Sequence, residues 1–526
     1  MSCDLLIRNG TILDGTGTPR HPGDIAVVNG RIVEVGVTEA TARRTLDATG
    51  CFVAPGFIDI HSHSDYTLLV DPRAVSAVHQ GVTLEVIGNC GFGCAPIRRP
   101  ALAGDNIYGY DGSVPLDWQD IGGYLSRLEA ARPAVNVLTL VPNGQLRRSV
   151  LGVEQRPARA DEIATMAMLL EDGLEQGAWG YSTGLEYPAE TGASEAEITA
   201  LCGTVARHGC LYATHTRARD QGSIEAIEEA LRTARASRVR LQISHLIPRS
   251  GPADAERSID IVERSARGGL DVTFDMHTRL FGTTMLSALL PGWAMALDRR
   301  DLRDALDSPT ARARMKEFRS IISASGDWER VVLLDLPDRP DISRRSLVEI
   351  GRLRGCSPFD AALDILRDYS EDLQRPMVII HCHDEAMQAQ AFAHPLCTPA
   401  SDATTLAPDG PLANSVFHGA YGWASWFYRF MVRDRKLLSP EAAITRLTSQ
   451  PAAILGLSDR GRISPGYRAD IVVFDPTAFA DRGSVFEPNQ LATGVRHVVV
   501  NGIATLTDGT LTGARAGSVL RRTSIH

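Results

Sequence analysis

The sequence predicts an α/β protein: a parallel (β/α)8 (TIM) barrel that carries a small β-sandwich formed from both chain ends. Three patterns point to it. From about residue 55 to 458, short apolar segments alternate with segments of helical periodicity, as in a parallel sheet wrapped by helices. Residues 1–54 and 459–526 read instead as short strands punctuated by Asn-Gly and Asp-Gly turns. Between 281 and 392 the chain holds more residues than one crossover needs, which predicts an insertion between barrel strands 7 and 8.

Composition sets the broad class. A chain of 526 residues, 44% of them hydrophobic, can bury a large core. Its net charge of −9 leaves no basic footprint for nucleic acid. No apolar run reaches the length of a membrane span, and the opening Met1-Ser2-Cys3-Asp4-Leu5-Leu6-Ile7-Arg8 lacks the apolar centre of a signal peptide. A cytoplasmic protein with no membrane partner is expected. Nine cysteines spread over this length make no disulfide framework; they are expected as small buried residues with one ligand among them. Lys316 and Lys436 are the sole lysines, and neither lies in a strand-end motif.

In chain order, Leu5-Leu6-Ile7, Thr11-Ile12-Leu13, Ile25-Ala26-Val27-Val28 and Arg31-Ile32-Val33 are separated by Asn9-Gly10, Asp14-Gly15 and Asn29-Gly30. Such pairs supply the positive φ of tight hairpins, so a small antiparallel sheet is expected. Asp470–Asp475, His497–Gly502 and Thr505–Gly509 echo it at the far end. The barrel strands are expected at Phe57–Ile60, Leu84–Ile87, Val135–Val141, Gly180–Thr183, Leu211–Thr214, Leu241–Ser244, Leu270–Phe274 and Cys397–Ser401. One intervening helix is expected from Ser194, with a Ser194/Glu197 capping box, to His208; another starts near Ser223 and places Ile224, Ile227, Ala230 and Leu231 on one face. The insertion has its own apolar segments, Val331–Leu334 and Met377–Ile380, and is expected over the C-terminal mouth of the barrel as a lid.

Chemistry gathers where the strands end. His61 and His63 lie two residues apart at the end of the first strand and therefore point the same way. The second strand ends in Asn89-Cys90-Gly91, the fifth in Thr214-His215, the sixth in Ser244-His245 and the eighth in Ser401-Asp402. In a barrel these ends converge on one mouth, and imidazoles, a thiol and a carboxylate together compose a zinc site.

At these residues the sequence resembles a known family. The opening Ala54-Pro55-Gly56-Phe57-Ile58-Asp59-Ile60-His61-Ser62-His63-Ser64-Asp65 and the closing Gly461–Asp470 resemble the amidohydrolase superfamily. Gly88-Asn89-Cys90-Gly91, Gly180–Leu185, Tyr212-Ala213-Thr214-His215 and Ile243-Ser244-His245 resemble its N-acyl-D-amino-acid deacylases, or D-aminoacylases, over essentially the whole chain. The resemblance implies zinc-dependent hydrolysis of a C–N amide bond in a small molecule, by default an N-acyl-D-amino acid. It implies one or two zinc ions, with Cys90, His215 and His245 as the tight site and His61 and His63 lining a second position. Many amidohydrolases bridge two metals with a carboxylated lysine on the fourth strand; Tyr181–Leu185 contains none, and Cys90 takes its place as a soft thiolate. Asp402 is expected to act as general base and then as general acid. Cys94, past the Gly91-Phe92-Gly93 turn, is expected to be structural. His381-Cys382-His383-Asp384 is rich in donors but falls at the end of the insertion, away from the ligand positions.

The resemblance is weakest around the substrate. Family members hold the substrate carboxylate with a lysine two residues after the sixth-strand histidine, a tyrosine after the seventh strand and an arginine near an Ala-Tyr-Gly turn. Here Ile247, Asp275-Met276-His277-Thr278-Arg279 and Gly419 stand in those places. Either His277 and Arg279 rebuild an anion site, or the substrate is a cyclic or other amide, a carbamate or an ester with no free carboxylate. Tyr187 matches a pocket position of the family. A catalytically silent scaffold is the non-enzyme alternative, and the full donor set with Asp402 argues against it.

Overall fold

The computed structural model describes residues 2–295, 297–373 and 375–523. Five strands open the chain: β1 (Ser2–Ile12), β2 (His21–Val28), β3 (Arg31–Gly36), β4 (Thr41–Asp47) and β5 (Phe52–Pro55). Asn29 and Gly30, with φ of 50° and 73°, make the β2–β3 hairpin turn. Asn9-Gly10 does not turn the chain. It lies inside the 11-residue β1 and marks a register shift against β2, a bulge where a hairpin was expected. The polar β4 pairs in parallel with β1, giving structure to a segment whose sequence carries no strand pattern.

The barrel strands follow as β6 (Phe57–Asp59), β7 (Val82–Ile87), β8 (Asn136–Thr139), β9 (Val141–Pro142), β10 (Gly180–Gly184), β11 (Leu211–His215), β12 (Arg240–Ile243) and β13 (Val272–His277). The expected third strand is broken at Leu140: β8 pairs with β7, whereas β9 pairs with β10. Apart from the half-buried Arg240 and Thr273, every residue of these strands is buried, as a sheet covered on both faces requires.

After β13 the insertion forms its own antiparallel sheet from β14 (Phe281–Met285), β15 (Val331–Leu333) and β16 (Met377–His381), ordered β14-β16-β15. Its helices bury Leu302, Leu306, Leu347, Ile350, Leu363 and Leu366 in a core separate from that of the barrel. The eighth barrel strand, β17 (Cys397–Ala400), pairs in parallel with β13. Closure onto β6 is made just beyond the strands: Asp402 N–H donates to His61 O at 2.9 Å and His63 N–H to Ala403 O at 2.8 Å.

The chain then returns with β18 (Ile471–Phe474), β19 (Val495–Val500), β20 (Ile503–Thr507) and β21 (Thr510–Leu511). β18 pairs antiparallel with β5, so both ends of the chain share one nine-stranded sheet. β1 bonds to β4 along residues 2–8 and to β5 at Thr11 and Ile12, so the sheet branches there around a core of Ile7, Ile25, Val27, Val53, Ile471 and Val499.

The helix expected from Ser194 runs over Glu195–Arg207, with Ser194 Oγ accepting from Glu197 N–H. The reciprocal half of the capping box is absent. The Glu197 carboxylate is turned to the buried Arg147 at 2.5 Å and to Ala158 N–H at 3.0 Å, because a buried guanidinium needs that charge more than an N-terminal amide does. Among the described residues no helix is long and apolar enough to cross a membrane.

Candidate metal centre

The closure of the barrel sets the donors side by side. His61 and His63 follow β6, Cys90 follows β7, His215 ends β11, His245 follows β12 and Asp402 follows β17. Their donor atoms form two groups, His61–His63–Cys90–Asp402 and Cys90–His215–His245, each with all atoms within 4.8 Å of one another. Cys90 belongs to both. Its Sγ lies 3.1 Å from His61 Nε2 and 3.5 Å from His245 Nε2.

Three of these residues sit in the left-handed backbone region: Cys90 at φ 52°, His245 at 35° and Asp402 at 44°. Each turns the chain abruptly out of its strand and across the mouth, a conformation that costs of order 1–3 kcal/mol for a residue with a Cβ. Gly91 follows Cys90 at φ 71°, and a Cβ there would fall onto the Glu190 carboxylate. The tight turn and the close approach both require glycine.

The surroundings orient the donors. Asp275 Oδ1 bonds His61 Nδ1 at 3.1 Å and accepts His245 N–H at 2.8 Å. Glu186 Oε2 accepts His215 Nε2 at 2.9 Å, and its other oxygen is held by Arg249. A carboxylate behind an imidazole fixes the tautomer and the ring, which is the usual outer support of a metal-binding histidine. Burial pushes the His63, His215 and His245 pKa values down, toward the neutral form that binds metal. Burial pushes the Cys90 thiol up to about 11, with His61 opposing; a cation beside it would reverse that and deprotonate the sulfur.

The donor set fits a borderline-soft cation such as zinc. The Nδ1 atoms of His63, His215 and His245 are buried with no hydrogen-bond partner, an arrangement that is costly unless something else satisfies them. Asp402, partly exposed at 18%, is opposed by burial, yet Arg279 and His63 hold its carboxyl well below the usual range. It is therefore an anion at neutral pH.

A model of the amidohydrolase family matches residues 44–317 and 349–504. The chain belongs to the amidohydrolase family. D-aminoacylase of Alcaligenes xylosoxydans xylosoxydans is 31% identical to this amidohydrolase over 99% of the chain and 98% of the relative. The N-acyl-D-glutamate deacylase of the same organism is 32% identical over 99% and 96%. A crystal structure of N-acyl-D-glutamate deacylase from Bordetella bronchiseptica, complexed with zinc and a phosphonate mimic of the tetrahedral intermediate, superposes with a TM-score of 0.80 at 29% identity, covering 99% of this chain and all of that one.

The residues expected to meet substrate are distributed as follows in the amidohydrolase. Tyr187 packs at a tilt against His215 with ring centroids 4.6 Å apart and joins Phe92 and Tyr108 in an aromatic wall that also packs on His63. His277 ends β13 and lies at the mouth, 6.3 Å from the His245 ring. Arg279 reaches the site but is spent there: it donates to Asp402 Oδ2 at 2.6 Å, to Ser401 O at 2.8 Å and to His418 O at 2.6 Å. Cys94 is buried outside both donor groups. The His381–Asp384 segment does not gather into a donor group either; Asp384 caps the helix Glu385–Ala393.

Sequence reasoning missed four residues of the site. Asp275, Glu186 and Arg249 support the donors from behind and Arg219 lies beside them, and such a charge has no fixed spacing from the residues it meets. Asp275, two residues before the end of β13, had a strand-end position that could have marked it.

Proposed function

We propose that this protein is a zinc-dependent deacylase that hydrolyses N-acyl-D-amino acids to a D-amino acid and a carboxylate. The observation that carries the reading is the pair of donor groups sharing Cys90, one of which includes Asp402. Cys90, His215 and His245 would hold one ion, and His61 and His63 with Cys90 would line a second position. When bound, zinc supplies the Lewis acidity that polarises the scissile carbonyl and makes water easier to deprotonate.

The chain's own residues do the rest. Asp402 takes a proton from the attacking water and returns it to the amide nitrogen as the C–N bond breaks. Arg279 and His63 fix that carboxylate through hydrogen bonds of 2.6 and 3.2 Å. Phe92, Tyr108 and Tyr187 form a wall against which an acyl group can pack. In this reading the folded insertion, residues 281–392, serves as a cover over the mouth.

A panel of N-acetyl-D-amino acids, their L-enantiomers and cyclic amides, assayed with zinc-loaded protein, tests the reading. The expected result is turnover of the D-enantiomers, lost on chelation and restored by zinc. Preference for cyclic amides or esters would replace the substrate class, and protein inert before and after zinc addition would be a scaffold.

A further inference from the structure

Beside the donor groups stands a cation that, among the described residues, no carboxylate pairs with. Arg219 lies four residues beyond β11 and is only 7% exposed. One terminal nitrogen donates to His245 O at 2.8 Å and to Ile247 O at 3.1 Å. Its Nε is buried without a partner, and among the described residues Arg219 forms no ion pair. The nearby acids are committed elsewhere. Glu186 and Asp220 both bind Arg249, and Asp402 binds Arg279. A guanidinium stays charged when buried, so leaving one without a counter-ion is costly unless an anion arrives from outside.

A second unpartnered group lies close by. His383, 8% exposed, comes from the segment that leaves the insertion, and its Nδ1 is buried with no hydrogen-bond partner. Its ring stands 5.4 Å from that of His277, beside the donor cluster. Burial, with Arg219 adding to it, pushes the His383 pKa well down, so the ring is a neutral donor and acceptor. Ile247 is apolar, so the sixth strand end itself offers no cation.

We propose that Arg219, assisted by His383, anchors the free carboxylate of the substrate. The proposal rests on the deacylase reading above. In an N-acyl amino acid only the nitrogen and Cα separate the scissile carbonyl from the carboxylate carbon. Arg219 grips the backbone of His245, whose ring belongs to the donor cluster, so an anion at Arg219 lies beside an amide held at that cluster. The two carbonyl bonds hold the guanidinium in place and occupy a single terminal nitrogen, leaving Nε as a donor for the anion. His383 makes the insertion part of the substrate site.

The test compares acyl release from an N-acyl-D-amino acid and from its neutral primary amide, using zinc-loaded wild type, Arg219→Gln and His383→Ala. Wild type is expected to prefer the acid by about 100-fold in kcat/KM. Arg219→Gln is expected to lose about 100-fold more on the acid than on the amide, chiefly through KM; His383→Ala should move the ratio the same way by about 10-fold. The proposal is overturned if wild type treats acid and amide alike, a result that needs no variant to fold. It is equally overturned if Arg219→Gln slows both substrates equally, since the arginine would then only fasten the loop. Wild type inactive on both would overturn the deacylase reading, and the anchor with it.

Discussion

Asp402 is the residue on which the chemistry turns, and its neighbours define what it can do. Arg279 and His63 keep it ionised, so it is ready to accept a proton but not to hold one in the resting site. Asp402→Asn preserves the shape and removes the base. We expect zinc content, read by metal analysis, to be retained through Cys90, His215 and His245, while kcat falls by about 10²- to 10⁴-fold; unimpaired turnover would refute the assignment. Glu186→Gln tests the support behind His215. It weakens the hold on the imidazole and leaves Arg249 to Asp220 alone, and a 10- to 100-fold loss of zinc affinity, roughly, is expected by competition with a chelator. The donors were legible in the sequence because histidine and cysteine at strand ends must meet when a barrel closes. Glu186, Asp275 and Arg219 were not, because their partners lie on other strands and only the folded register brings them together.

At the scale of elements, the turns that leave the strands carry the site. The fourth-strand turn contains Glu190, whose carboxylate accepts Gly184 N–H at 3.0 Å and Asn143 Nδ2 at 2.7 Å. Burial raises its pKa from 4.5 to about 7 against those hydrogen bonds. The folded state thus binds this proton more tightly than the unfolded chain does. Stability is fully present below the unfolded value and is lost as pH rises through about 7, by an amount of order 3 kcal/mol. Glu190→Gln keeps the shape, and Asn143 can turn its amide so that Oδ1, which lacks a partner, accepts from the new side chain. The variant should lose less of its Tm than wild type between about pH 5 and pH 8 in thermal unfolding; equal losses would show that Glu190 does not titrate in this range. Elements with strong periodicity, such as the helix Ser223–Ser237, were legible from the sequence. β4 was not, because its pairing with β1 overrides a polar sequence, and Asn9-Gly10 was misleading because a bulge uses the same dipeptide as a hairpin.

For the whole molecule, the metal centre is a cross-link between distant segments, drawing on the ends of the first, second, fifth, sixth and eighth strands. An ion bound there stabilises the folded barrel by mass action, about 4 kcal/mol at a thousandfold excess over Kd. Chelation should therefore lower Tm and abolish activity while the far-ultraviolet circular dichroism stays unchanged, since the hydrophobic cores lie outside the donor set; an unchanged Tm would mean that the ion bridges nothing. The joint sheet of the two chain ends has a consequence of another kind. Val53 in β5 pairs with Val473 in β18, about four hundred residues later. During synthesis the edge of β5 facing β18 waits until the barrel and the insertion have both been made, so this sheet is expected to be a slow and aggregation-exposed step of folding. A chain stalled before β18 is expected to present an open strand edge to its neighbours on the ribosome.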